Sequence, residues 1–366
     1  MSAKFLSTAH GVPWKTIFLC VSALIMIHYM LVDFEPSREK HASPSPKPAT
    51  NDEIADADTT PGRKVGPAGT FEDFKAMFGL SESTAMKEGH RMKKLPAGSA
   101  LAHPYSRDDE YVAFCMSVKD QRLDLPEFFI HHYHHLGIKR FYIMDDGSNP
   151  PLSEMPDLGI PREHVTFEYF DRADHRPDMQ DYLYTLCVEK YRSNHTWMAF
   201  LDADEYLEMK GAETLNQFLE EYEKDTHVGA VVVSWQTHSS AGVLKRPKSC
   251  RKAYIDCIWD GDGHNIMFKS IARLSLIDRT YRVHQIHSLD GAVAVDEHGE
   301  QIPGHLRIPP TKDRIALHHY ALKSREEYQQ KCDRGNGMDD PKDWTFWDSV
   351  EGMAGVECTS MTEYDP

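Results

Sequence analysis

Asp202 and Asp204 close an apolar segment in HTWMAFLDADEYL, the run from His195 to Leu207. Side chains at i and i+2 of a strand share a face, so the spacing predicts two carboxylates standing together at a strand end. Paired hard oxygen donors suit a divalent cation such as Mn²⁺ or Mg²⁺ that keeps coordination positions open for phosphate oxygens. Two other apolar runs end in polar pairs: Lys119-Asp120 after YVAFCMSV, and Asp145-Asp146 after RFYIM.

The elements that must position these groups are legible from periodicity. Tyr111 to Val118, Arg140 to Met144, His164 to Phe170 and Trp197 to Leu201 read as strands, while Leu125 to Leu136 and Pro177 to Tyr191 read as helices. The second helix places Met179, Leu183, Leu186, Cys187 and Tyr191 on its inner face. Strand–helix alternation predicts an α/β fold with a mostly parallel, Rossmann-like central sheet and helices on both faces. Ligands in such sheets bind at the carboxyl ends of the strands, where all three polar segments fall. In the first helix Leu125, Phe128, Phe129, His132 and Leu136 form the inward stripe. That makes His132 a core histidine with solvated neighbours and sets aside a zinc reading of His131 and His135, which share a face.

Thr16 to Val32 is an apolar run just long enough to cross a bilayer. Lys4 and Lys15 precede it and Asp33 and Glu35 follow, which predicts a type II signal anchor with residues 1–15 in the cytosol. A cleaved signal peptide is the rival reading, but no small-x-small cleavage site is present. Residues 33–105, rich in Pro, Ser, Ala, Thr and charge, read as a disordered stem with a short amphipathic helix near residues 71–79. Residues 106–335 are left for one catalytic-sized domain, with residues 336–366 as a tail packed on it or trailing.

With Cys20 in the span, six of the seven cysteines remain for an oxidising lumen. Cys250 and Cys257 are near enough to bridge a loop, and Cys115 and Cys187 are expected as buried free thiols. Asn194-His195-Thr196 is a glycosylation sequon. The formal net charge is −16, and no basic tract is dense enough for nucleic-acid binding.

The order FCMSVKDQ, LPEFFIHH, LGIKRFYIMDDGS, Gln180 with Tyr184 and Cys187, WMAFLDADEYL, SWQTHSSAG, FKSI and HHYALKSREEY, running from Tyr111 to Lys331, resembles glycosyltransferase family 92, of the GT-A fold. The chain departs from the usual family pattern at Asp120-Gln121 and at Thr237-His238. The resemblance implies a Golgi enzyme, lumenal in its catalytic part, that transfers a sugar from a UDP-sugar, galactose above all, onto a glycan acceptor with inversion. Its donor site would hold Mn²⁺ or Mg²⁺ on Asp204, with Asp202 on the ribose or a metal-bound water and His319 as a further ligand. Lys323 and Lys269 would serve the diphosphate, a flexible point charge being suited to phosphate. Lys119, Asp120, Asp145 and Asp146 would meet the nucleoside, and Arg176 and Gln180 would face the donor from a helix start. Trp235 offers an acceptor platform. For the general base Asp260 and Asp262 come first, with Glu205 and Asp256 behind them. Two readings from other classes stay open: an inactive sugar-binding scaffold of the same fold, and a nucleotide-sugar hydrolase.

Overall fold

The computed structural model describes residues 110–364 apart from 260–263, 282, 290 and 339–341. The expected anchor, stem and short helix near residues 71–79 lie outside the described residues. Among those described, no helix is long and apolar enough to cross a membrane.

The chain runs β1 (Val112–Val118), α1 (Leu125–His134), β2 (Phe141–Asp146), β3 (Val165–Phe170), α2 (Met179–Tyr191), β4 (Trp197–Phe200), β5 (Glu205–Met209), α3 (Leu215–Glu223) and β6 (Val228–Thr237). It continues through α4 (Cys250–Ala253), β7 (Asp256–Ile258), β8 (Phe268–Arg273), β9 (Ile277–Tyr281), β10 (Gln285–Ser288), β11 (Val293–Val295) and β12 (Ile315–His319). α5 (Arg325–Arg334), α6 (Trp344–Glu351) and β13 (Ala354–Glu357) complete it. The main sheet has the order β3-β2-β1-β4-β8-β6-β12-β5, with β11 on β6.

Strand β1 is buried on both faces, as a central parallel strand must be. Phe114, Met116 and Val118 enter one core with Phe128 and Phe129 of α1 and Phe218 of α3. Ala113 and Cys115 enter the other, against Met179, Leu183 and Cys187 of α2. Helices therefore cover both faces, as periodicity predicts. Parallel pairing joins β3, β2, β1 and β4, and joins β6 to β12 and to β11, so most pairs of the main sheet are parallel as expected. β8 then pairs antiparallel with β4 and β6, and β12 antiparallel with β5. These antiparallel pairs make the sheet mixed, and the four-residue turn after β4 sends β5 to the far edge, where it pairs with β12.

Tertiary packing also overturns the cysteine expectations. Cys115 and Cys187 are not free thiols: α2 lies across β1, which brings their Cα atoms to 6.6 Å in a disulfide. Cys257 bonds Cys358, not Cys250. Cys250 is a buried free thiol, and Cys332 is also unpaired. Residues from the expected tail pack on the domain, since β13 pairs with β7 and Val350 of α6 joins Ile258, Leu322 and Tyr328 in a satellite core.

His131 is not solvated. Both His131 and His132 are fully buried, and they pin α1 to β5. His131 Nε2 meets Leu207 O at 2.7 Å while its Nδ1 accepts from Arg251, and Leu207 N donates to His132 Nε2. Buried imidazoles with both nitrogens engaged need no metal.

Candidate active site

Asp202 and Asp204 sit in the tight turn between β4 and β5, closed by Glu205 N donating to Asp202 O at 3.0 Å. They are thus turn residues and not strand residues on a common face, and each carboxylate has its own partners. Asp202 Oδ1 accepts from Gln180 Nε2 at 2.6 Å and Tyr184 OH at 3.3 Å; its Oδ2 pairs with Lys269 Nζ at 2.8 Å. Asp204 Oδ2 pairs with Lys331 Nζ at 2.9 Å. Burial pushes both carboxyls up, but the ammonium beside each outweighs it and holds both below the usual carboxylate range.

Glu205 is the fully buried centre of this corner. Its Oε1 accepts from Trp235 Nε1 at 2.9 Å and its Oε2 from Asp202 N at 2.9 Å, with Lys269 Nζ at 3.5 Å. Burial, opposed by Lys269 and helped by Asp202 and Asp204, raises its carboxyl to about 8. A group so enclosed is ill placed to reach an acceptor hydroxyl as a base. Asp256 Oδ1 accepts from Gly355 N, and Asp260 and Asp262 lie outside the described residues.

His319 arrives from the far end of the chain. β12 pairs with β5 so that His319 stands opposite Glu205, and with β6 so that it stands opposite Thr237. Its ring packs on Trp235 at 4.1 Å between centroids, and burial lowers its pKa to about 3. Its Nδ1 is buried with no hydrogen-bond partner among the described residues. An unpaired buried imidazole nitrogen is costly, and a cation beside Asp204 would satisfy it. The Asp204 carboxylate suits Mn²⁺ or Mg²⁺ with further oxygens from phosphate or water, and an added imidazole nitrogen favours the softer Mn²⁺. Among the described residues, the set of three His and acid groups whose ligand atoms all lie within 4.8 Å of one another is Glu297, His298 and Asp313 instead. There Glu297 is saturated by the amides of Asp313, Arg314 and Ile315, so it anchors a loop.

The other expected residues divide by what they touch. Asp120, in left-handed backbone, accepts from Asn149 N and borders a cavity of about 500 Å³ that also reaches Asp204, Lys323, Lys331 and Arg334. Lys119 donates to Arg334 O. Asp145 is buried and caps the amides of Ser148 and Leu152, which makes it a turn anchor. Asp146 pairs with Arg172 and His175. Arg176 forms an exposed pair with Asp178, while Gln180 orients Asp202. Lys269 is 1% exposed and bound to Asp202, so it braces that carboxylate from inside the sheet. Lys323 is committed to Asp124 at 2.8 Å. Trp235 is half-buried, its ring walled by His319 and His284. His238, at the family departure, is a core residue bonded to Tyr254 O and to His318. Asn194 is partly exposed.

Lys331 and Tyr184 were not among the expected site residues. Tyr184 lies one turn after Gln180, a helical spacing that places both on one face. Nothing local marks Lys331, which meets Asp204 across 127 positions.

The pattern of glycosyltransferase family 92 matches residues 111–303, more than half of the chain. A glycosyltransferase family 92 protein of Oryza sativa subsp. japonica is 24% identical over 145 residues, which is 39% of this chain and 24% of the relative. The match thus spans about a quarter of that relative's length. Among solved structures, S. aureus TarS 1–349 in complex with UDP-GlcNAc aligns with 9% identity and a TM-score of 0.30 over 45% of each chain. A second S. aureus TarS structure aligns with 10% identity and a TM-score of 0.28, over 45% of this chain and 28% of that one. The matched region takes in β1, the Asp202-Ala203-Asp204 turn and Trp235, and by that match the chain belongs to glycosyltransferase family 92.

Proposed function

We propose that this chain is a metal-dependent glycosyltransferase of the GT-A fold that moves a sugar from a UDP-sugar, galactose by family resemblance, onto a glycan hydroxyl with inversion. The observation that carries the reading is that β12 brings His319, whose buried Nδ1 has no hydrogen-bond partner among the described residues, alongside the Asp204 turn, with Tyr320 N on Asp204 O at 2.9 Å and Asp204 lining a cavity of about 500 Å³. That volume is within the range of small-ligand sites. Asp204 and His319 would hold the ion, with Asp202 on the ribose or a metal-bound water. When bound, the ion supplies Lewis-acid stabilisation of the leaving diphosphate. Gln180, Tyr184 and Lys269 fix the Asp202 carboxylate before any donor arrives, so no reorganisation is needed there. Asp120 and Asn149 border the same cavity and suit the nucleoside end.

Placement in the Golgi lumen behind a type II anchor accords with the two disulfides, which persist in oxidising compartments. The deciding experiment is a donor-by-acceptor screen of purified protein with Mn²⁺ or with excess chelator. Transfer from a UDP-sugar that needs the metal and disappears in Asp204→Ala is the expected result. Full activity in chelator, or Asp204→Ala turning over normally, would overturn the metal assignment. Donor hydrolysis without acceptor would instead favour a hydrolase.

A further inference from the structure

The cation on Asp204 belongs to the chain itself. Lys331 Nζ lies 2.9 Å from Asp204 Oδ2 and donates a second bond to Ala321 O at 3.0 Å. On α5 its same-face neighbours at i−4 and i+3 are Glu327 and Arg334, and all three border the cavity. The helix is tied at both ends. Glu327 bonds Ser324 and Tyr254 at its start, and Lys119 bonds Arg334 O at its finish. The ammonium is therefore delivered to Asp204 from a braced helix, with the Lys331 side chain still 24% exposed.

Resting on the metal-dependent reading above, we propose that Lys331 is a positioning residue that occupies the metal's place on Asp204 in the donor-free protein. It passes to the donor's phosphate oxygens when a divalent ion takes the carboxylate. Two cations cannot both sit close against one carboxylate oxygen without strong mutual repulsion. An ammonium on a four-carbon stem, unlike a fixed fork, can swing to a nearby anion. Until then it keeps the Asp204 carboxylate paired and oriented inside the protein, where an unpaired buried charge would be costly. Metal alone must then compete with Lys331, whereas metal arriving with a diphosphate offers the lysine a new partner. Metal and nucleotide consequently bind cooperatively.

The test is a titration of the purified full-length protein with Mn²⁺, followed by the free-ion electron paramagnetic resonance signal, with and without UDP. In Lys331→Met, Mn²⁺ alone should bind about tenfold tighter, the equivalent of about 1.4 kcal/mol of lost competition. UDP at saturating Mn²⁺ should bind about tenfold or more weaker. A merely structural lysine would not move the two affinities in opposite directions. Should Lys331→Met melt, Lys331→Gln, whose amide retains a hydrogen-bond donor, makes the same comparison. Unchanged or weaker binding of Mn²⁺ alone in the folded variant would overturn the inference while leaving the metal reading intact. Absence of Mn²⁺ binding to the unaltered protein even with UDP would overturn both.

Discussion

Lys269 separates two accounts of the same lysine, and Lys269→Met tests them. Its resemblance-based role is to meet the donor diphosphate, whereas its position is 1% exposed, 2.8 Å from Asp202 and 3.5 Å from Glu205. Removing one partner of a buried ion pair costs about 3–5 kcal/mol because the other charge is left uncompensated. Here that figure is too high. The Asp202 side chain is 35% exposed and keeps its bonds from Gln180 and Tyr184, so water can take part of the load. Glu205, already raised to about 8, loses its nearest cation and becomes protonated more readily still. The expected net loss is about 2–3 kcal/mol, a fall of roughly 4–12 °C in melting temperature at about 2–4 °C per kcal/mol for a domain of this size. The assay is thermal unfolding without ligand beside UDP–Mn²⁺ calorimetry on the same preparation. A melting temperature within about 1 °C of the unaltered protein, together with lost nucleotide affinity, would refute the bracing role and restore the phosphate role.

The adjacent histidines should fail differently, because neighbours in an extended strand face opposite sides. His319→Ala should weaken Mn²⁺ and UDP binding with little change in melting. His318→Ala removes a partner from both Glu208 and His238 in the buried core and should cost about 1–3 kcal/mol for each group left unsatisfied; equal effects of the two on metal affinity would show that the ligand has been misassigned. Glu208 also gives a pH signature. Burial raises its carboxyl, but hydrogen bonds from His318 and Lys210 outweigh this and lower it to about 2. A depressed acid contributes stability above its unfolded value near 4.5 that is lost as pH falls toward 2. The stability gap between the unaltered protein and Glu208→Gln should therefore shrink from pH 6 to pH 3, and a gap that widens over that window would contradict the assignment.

Local sequence was enough for whatever repeats along one element. The apolar run of β1 and the stripe of Met179, Leu183 and Cys187 in α2 are readable because side-chain direction follows a period of 2 or 3.6 within a single segment, whereas that same period misplaced Asp202 and Asp204, which fall in a turn beyond the strand. His319 could be reached from sequence only through its place in an ordered family pattern, for nothing in HHY says that β12 will lie beside β5. The partners of each group lay beyond that range. Lys331 meets Asp204 across 127 positions, Lys269 meets Asp202 across 67, and Cys257 meets Cys358 across 101. Which lysine braces Asp202 from within the sheet, which sits on Asp204 from the cavity side and which is tied to Asp124 depended on burial and on the crossing of elements. A lysine carries the same charge and the same four-carbon stem wherever it falls in the chain; its surroundings decide whether that charge is held by one carboxylate or left free to move to an arriving anion.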